Sequence, residues 1–287
     1  MKRWFVLFCV TLLVGACSAI AGDTTDTNTA QTVEESTTAE DENALVRWNR
    51  DALSVVFQAD VIGGIGYGTF IDNNRVPLCT IYGDGRLVWT SPDNNEVLFD
   101  FLTDEQITDF VTYLTVDERF FTYEGGMDTL MPSPEFPITD VMTLNVNDIE
   151  HTTDSFGNWT DDYFLRLSEN CRALSQQPRR FQPSEGWFSI DAVVFDDTIP
   201  SVPWEADAAG LSLFDVAEMP ASSVWLENSL VLPIWTAIRD NNGRVQFNQD
   251  GDEFLVALRI PGVTVDAPPP PSGDDNSLAT EEPESEG

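Results

Sequence analysis

The chain has a single lysine, Lys2, and a single histidine, His151. Lysine poverty excludes a Schiff-base nucleophile, a Ser-Lys dyad and the lysine-bearing phosphate loop of an ATPase. One histidine leaves one candidate for a nucleophile–base triad, and no G-x-S-x-G accompanies it. Positive charge is scarce throughout, at 14 Lys and Arg against 49 Asp and Glu, a formal net charge of −35. Such a surface repels nucleic acid and anionic headgroups, so neither is an expected partner. An acidic, lysine-poor surface is also a general response to salt or acid. Long apolar runs are missing too: the longest, Trp4–Val14, is 11 residues, too short to span a bilayer.

That run is nevertheless placed like the core of an export signal. Lys2 and Arg3 precede it, and Val14-Gly15-Ala16-Cys17 follows. An aliphatic residue, two small residues and a cysteine resemble the lipobox of bacterial lipoproteins. The resemblance implies cleavage before Cys17 and a diacylglyceryl thioether on its sulfur, with the membrane as partner through the lipid. Each buried methylene contributes about 0.8 kcal/mol, so two or three acyl chains make a lasting anchor. A competing cut exists: Ala19-Ile20-Ala21 reads as an A-x-A site, and cleavage before Gly22 would give a freely secreted protein. Cys9 is removed either way.

Composition divides the remainder. Residues 17–44 hold the candidate lipidated cysteine and an acidic, Thr-rich stretch without apolar periodicity, expected to be a disordered tether. Residues 264–287, with Pro268–Pro271 and an acidic end, are expected to be a solvated tail. The body between, 45–263, carries 12 arginines and 35 acids.

Within the body, alternating Leu53, Val55 and Phe57 predict a first strand. "VPLCTIYGDGRLVWT", "DVMTLNVNDIEHTTDSF" and "RVQFNQDGDEFLVALRI" read as hairpins turning at Gly83-Asp84-Gly85, Asn147-Asp148 and Asp250-Gly251. Thr103-Asp104-Glu105-Gln106 is a capping box, and Ile107, Phe110, Val111 and Leu114 follow on one helical face. A second helix is expected from Thr160, with Phe164, Leu167, Cys171 and Leu174 on one side and an end at Pro178. "WFSIDAVVF" predicts a strand, "AGLSLFDVA" an irregular or short strand, and Ser229 a cap before a helix bearing Val231, Ile234, Trp235 and Ile238. Hairpins and helices interleave without a βαβ rhythm. The expected class is α+β, antiparallel, in two modules, 45–182 and 183–263.

The order "YGDGRLVW", "LTDEQITDFVTYL", "DERFF", "TDVMTLNVND" resembles a layout of uncharacterised bacterial lipoproteins, over roughly residues 53–175. That resemblance implies no activity and assigns no site residue.

Candidate chemistry is sparse. Cys79 and Cys171 are the only thiols left in the body. Outside the cytoplasm such a pair predicts a disulfide closing about 90 residues, which stabilises by about 3 to 5 kcal/mol. Two buried free thiols are the other reading, since Cys171 lies on an apolar stripe. If Asn147-Asp148 is a two-residue turn, His151 faces Leu144 across the hairpin, a structural position. "GGIGYG", residues 63–68, matches neither G-x-G-x-x-G nor a G-K-[ST] loop. It reads as a hairpin connection, or as a ligand-contacting loop with Ile65, Tyr67 and Phe70 at its tip. Aligned to a calcium loop, "QFNQDGDEFLVA" supplies Asn248, Asp250 and Gly251 but puts Gln246 first and Ala257 last, without the bidentate Glu. Asp72, Asp196 and Asp197 are loose oxygen clusters. Asn158-Trp159-Thr160 is a glycosylation sequon and equally a helix start.

No catalytic residue and no cofactor motif emerges. The expected protein is a membrane-anchored extracytoplasmic lipoprotein with a non-catalytic binding or envelope-accessory role. The alternatives are a cell-surface hydrolase working through paired carboxylates, and a capture protein for calcium or a small ligand.

Overall fold

A computed structural model describes residues 45–64, 66–126, 137–227 and 229–272. The chain divides into Met1–Asn43 and Ala44–Gly287, and every described residue belongs to the second unit. The candidate lipidated cysteine Cys17 and the acidic stretch to residue 44 lie outside the described residues.

The fold is α+β, built on two sheets. The first contains β1 (Val55–Ile62), β2 (Cys79–Tyr82), β3 (Arg86–Thr90), β4 (Val97–Phe101), β5 (Thr139–Val146), β6 (Ile149–Asp154) and β7 (Arg179–Arg180), in the order β6-β5-β1-β2-β3-β4-β7. All its pairings are antiparallel. The second contains β8 (Gly186–Val193), β9 (Ser201–Pro203), β10 (Ser223–Leu226), β11 (Gln246–Gln249) and β12 (Asp252–Arg259), ordered β10-β8-β12-β11-β9. Only β9 and β11 run parallel there. The helices are α1 (Asp104–Thr112), α2 (Tyr163–Ala173), α3 (Ala206–Ala209), α4 (Leu213–Glu218) and α5 (Val231–Asp240). Among the described residues no helix is long and apolar enough to cross a membrane.

Local chemistry explains the turns. Asn147 and Asp148 both take positive φ, 53° and 61°, which a two-residue type I′ hairpin requires. The resulting register sets Leu144 opposite His151 and Met142 opposite Thr153. Gly83 has no room for a side chain: a Cβ there would lie 2.0 Å from the Asn49 carbonyl oxygen. The Thr103 hydroxyl accepts from Gln106 N–H while the Gln106 side chain accepts from Thr103 N–H, closing the capping box. Such a cap stabilises by about 1 kcal/mol.

Two cores result. The first lies between α1, α2 and one face of the first sheet, and includes Phe57, Ile107, Phe110, Leu114, Met142 and Leu167. Each fully buried apolar side chain contributes about 1.5–3 kcal/mol. Cys79 on β2 and Cys171 on α2 are disulfide-bonded through this core, with Cα atoms 6.4 Å apart. The second core joins Tyr82, Val88 and Val97 from the first sheet, and Val76 just before β2, to Phe188, Trp235 and Phe254. Residues on both sides of 182–186 therefore share it.

Several local expectations are corrected. A bulge between Val55 and Phe57 breaks the simple alternation, so Val55 turns to the second core and Phe57 to the first, while Leu53 lies outside the strand and is exposed. "AGLSLFDVA" contains α4, whose Leu213 and Val216 are buried one helical turn apart. Tyr163, not Thr160, opens α2, after Asp162. Leu230 rather than Ser229 occupies the N-cap position of α5, with no capping side chain. The fold also continues past residue 263. Val265 N–H donates to the Arg75 carbonyl at 3.0 Å, and the Trp187 indole donates to the Pro269 carbonyl at 3.0 Å.

Candidate functional site

β1 delivers the chain to a glycine-rich loop, and a 3-10 helix, Phe70–Asn74, returns it to β2. Gly64 takes φ +78°, and a Cβ there would come within 3.1 Å of the Ile138 side chain. Gly66 takes φ +94°. The loop can close this tightly because glycine adopts such conformations without a steric penalty.

Asn74 ends the 3-10 helix and is buried. Its amide donates to the carbonyls of Gly243 at 3.0 Å and Val256 at 2.9 Å, and its carboxamide oxygen accepts from Leu258 N–H at 2.9 Å. The loop is thereby fixed against the turn between α5 and β11.

Between these two elements lies a cavity of about 390 Å³. Three arginines line it, Arg75, Arg239 and Arg244, and two carboxylates, Asp60 and Asp72. Arg75 holds both carboxylates. Its Nη1 bonds Asp60, and its Nε donates to Asp72 Oδ1 at 2.8 Å. Asp60 also accepts from Val61 N–H at 2.8 Å. Burial lifts the Asp60 carboxyl above its ordinary range, against the opposing pull of Arg75. Burial pulls the Arg75 guanidinium the other way, but Asp60 and Asp72 outweigh it and hold the group above its usual value. Tyr67 lines the same wall, its ring centroid 5.9 Å from the Arg75 guanidinium carbon.

Among the described residues Arg239 has no such counter-charge. Its Nη2 donates to the Asn74 carbonyl at 2.6 Å, and its guanidinium stands 5.0 Å over the Trp235 ring. Its Nε is buried and has no hydrogen-bond partner. Burial pulls the guanidinium down to about 10. Arg239 also lines a smaller cavity of about 120 Å³, beside the Arg180–Glu96 pair. Arg244 is exposed at the wall of the larger cavity. Among the described residues neither Arg239 nor Arg244 sits in an ion pair.

The residues singled out from sequence fall mostly elsewhere. Cys79 and Cys171 bridge the first core and do not line the cavity. His151 donates from Nε2 to the Tyr123 carbonyl at 2.7 Å and packs edge-on against Phe120 and Phe121. Asp196 accepts from both the backbone and the hydroxyl of Thr198. Asn248 donates to Glu253 at 2.8 Å beside the Asp250-Gly251 turn. Among the described residues no group of three or more His, Cys, Asp or Glu is arranged to hold a metal ion. The "GGIGYG" loop does reach the cavity, through Gly63, Gly66 and Tyr67. Phe70 instead opens the 3-10 helix, and Ile65 lies outside the described residues.

Sequence reasoning missed Asn74, Arg239 and Arg244. The available signal was "RDNNGR", two of the body's 12 arginines flanking one tight turn. No family model, curated protein or solved structure matches the chain.

Proposed function

We propose that this chain is a membrane-anchored extracytoplasmic lipoprotein with a non-catalytic binding role, and that the cavity between the glycine loop and the α5–β11 turn is its binding site. One observation carries the binding reading. The cavity's two carboxylates are both held by Arg75, while Arg239 and Arg244 line it with no ion pair among the described residues, Arg244 sensing only the longer-range charge of Asp196. The first arrangement leaves no unpaired acid for proton transfer, and the second offers charge to a ligand. Val14-Gly15-Ala16-Cys17 supports the anchor, and the Cys79–Cys171 disulfide is compatible with an oxidising compartment outside the cytoplasm. Metabolic labelling with radioactive palmitate tests the anchor: the wild type should take up label and Cys17→Ala should not. An unlabelled wild type overturns it.

A carboxylate-dependent hydrolase is the second reading, favoured by one feature. Asp60 and Asp72 share the cavity, and burial raises Asp60. An inverting or retaining glycosidase needs two carboxylates about 5 to 10 Å apart, one of them protonated. Turnover of chromogenic glycosides, abolished in Asp60→Asn, would establish this reading over the first.

A further inference from the structure

We propose that the cavity binds a small monoanionic organic carboxylate, anchored by Arg239 and assisted by Arg244. This rests on the binding reading above and names its ligand class.

Charge points to the ligand's sign. In a body with 35 acids and 12 arginines, carboxylate partners abound. Arg75, Arg86 and Arg166, each largely shielded from solvent, all have one. Among the described residues Arg239 does not, although its Nε is shut off from water. Arg259 shares the unpaired Nε, but it does not line the cavity. Arg239 therefore combines a buried unpaired donor with a cavity wall.

A purely architectural role explains only part of its placement. The C-terminal end of α5 favours a cation there, Trp235 covers the guanidinium, and the Asn74 carbonyl takes one Nη2 bond. Nε remains without an acceptor. The guanidinium fork matches the two oxygens of a carboxylate, and it is the part of Arg239 on the cavity wall that can meet them.

Size and surroundings narrow the class. At about 30 Å³ of liquid volume per water, a lone inorganic anion would fill a small part of the roughly 390 Å³. Val61, Ile71, Val76 and Leu78 line the rest with apolar surface, fit for an organic body. A dianion such as phosphate meets opposition. Arg239 sits at the negative end of the α5 dipole, and Asp60 and Asp72 lie in the same cavity. A cation is disfavoured because Arg75 already occupies both carboxylates.

The test uses the full mature protein in detergent, with benzoate as probe, titrated at constant ionic strength against chloride. Melting temperature and tryptophan fluorescence are read together, because Trp235 lies beside Arg239. The expected result is a saturable rise in Tm with millimolar benzoate and a fluorescence change of the same midpoint. Arg244→Ala, an exposed residue with no ion pair to lose among those described, should weaken binding by about tenfold. Arg47→Ala, on the Asp148 ion pair and outside the cavity, should not change it. No saturable response, or identical affinity in Arg244→Ala, overturns the proposal. Tighter binding of inorganic phosphate than of benzoate overturns the carboxylate assignment. Palmitate labelling at Cys17 is independent of these readouts, so an inert cavity and a missing anchor remain distinguishable.

Discussion

The Asn74 carboxamide accepts a hydrogen bond from the Leu258 backbone N–H at 2.9 Å, across 184 residues of chain. With its two donated bonds to Gly243 and Val256, this buried side chain uses both its N–H donors and one of the two acceptor sites on its oxygen. It couples the glycine loop, the α5–β11 turn and β12 in one place.

Asn74→Ala should therefore lower stability by about 2–4 kcal/mol, because it strands two buried carbonyls and one N–H. Urea unfolding of the variant measures this directly. A loss under about 0.5 kcal/mol, the range of an indifferent surface change, would contradict it.

The disulfide makes a second prediction. Cys79 and Cys171 are 92 residues apart in sequence, and closing a loop of that length restricts the unfolded chain. The Cys79→Ala/Cys171→Ala double variant should lose about 3–5 kcal/mol in the chain-entropy account. Thermal unfolding with and without reductant gives the comparison: the wild type should fall toward the double variant on reduction. An unchanged midpoint would mean that core packing alone holds α2 to β2.

Asp100 predicts an acid-limb effect. Burial by itself would raise its carboxyl. Bonds from Gln177 N–H, the Ser175 hydroxyl, Phe101 N–H and Gln176 N–H outweigh burial and hold it below the usual carboxylate range. A depressed pKa in the folded state stabilises above the unfolded value, near 3.9, and that contribution is lost as pH falls through the folded one. Asp100→Asn should thus cost stability at pH 7 by about 1.5–3 kcal/mol, and the gap from wild type should close below about pH 4. A gap that persists unchanged at low pH would assign the cost to packing instead.

What the sequence made legible was local chemistry. Asn147-Asp148 and Asp250-Gly251 need positive φ, the Thr103 box satisfies its own donors, and the Ile107 face repeats with helical period; all four appear as read. The α+β class follows from that interleaving of hairpins and helices. Elements resting on weaker periodicity were misread. α4 carries too short an apolar stripe, Leu213 and Val216, to stand apart from a strand, and the bulge at Val55 hides behind a perfect alternation. The cavity was legible only on one side. "GGIGYG" marked a loop with unusual backbone demands, but its facing wall, Arg239 to Arg244, lies about 170 residues away and no local rule pairs them. Arg239 gains its meaning from Asn74, a contact that only tertiary structure creates.

The measurement that bears most directly on the central claim is the intact mass of the protein extracted from native membranes. A chain beginning at Cys17 and carrying the added mass of its acyl chains is the predicted result, and it keeps the cavity working at a membrane surface. A chain beginning at Gly22 without lipid would contradict the anchor and make the protein a secreted one.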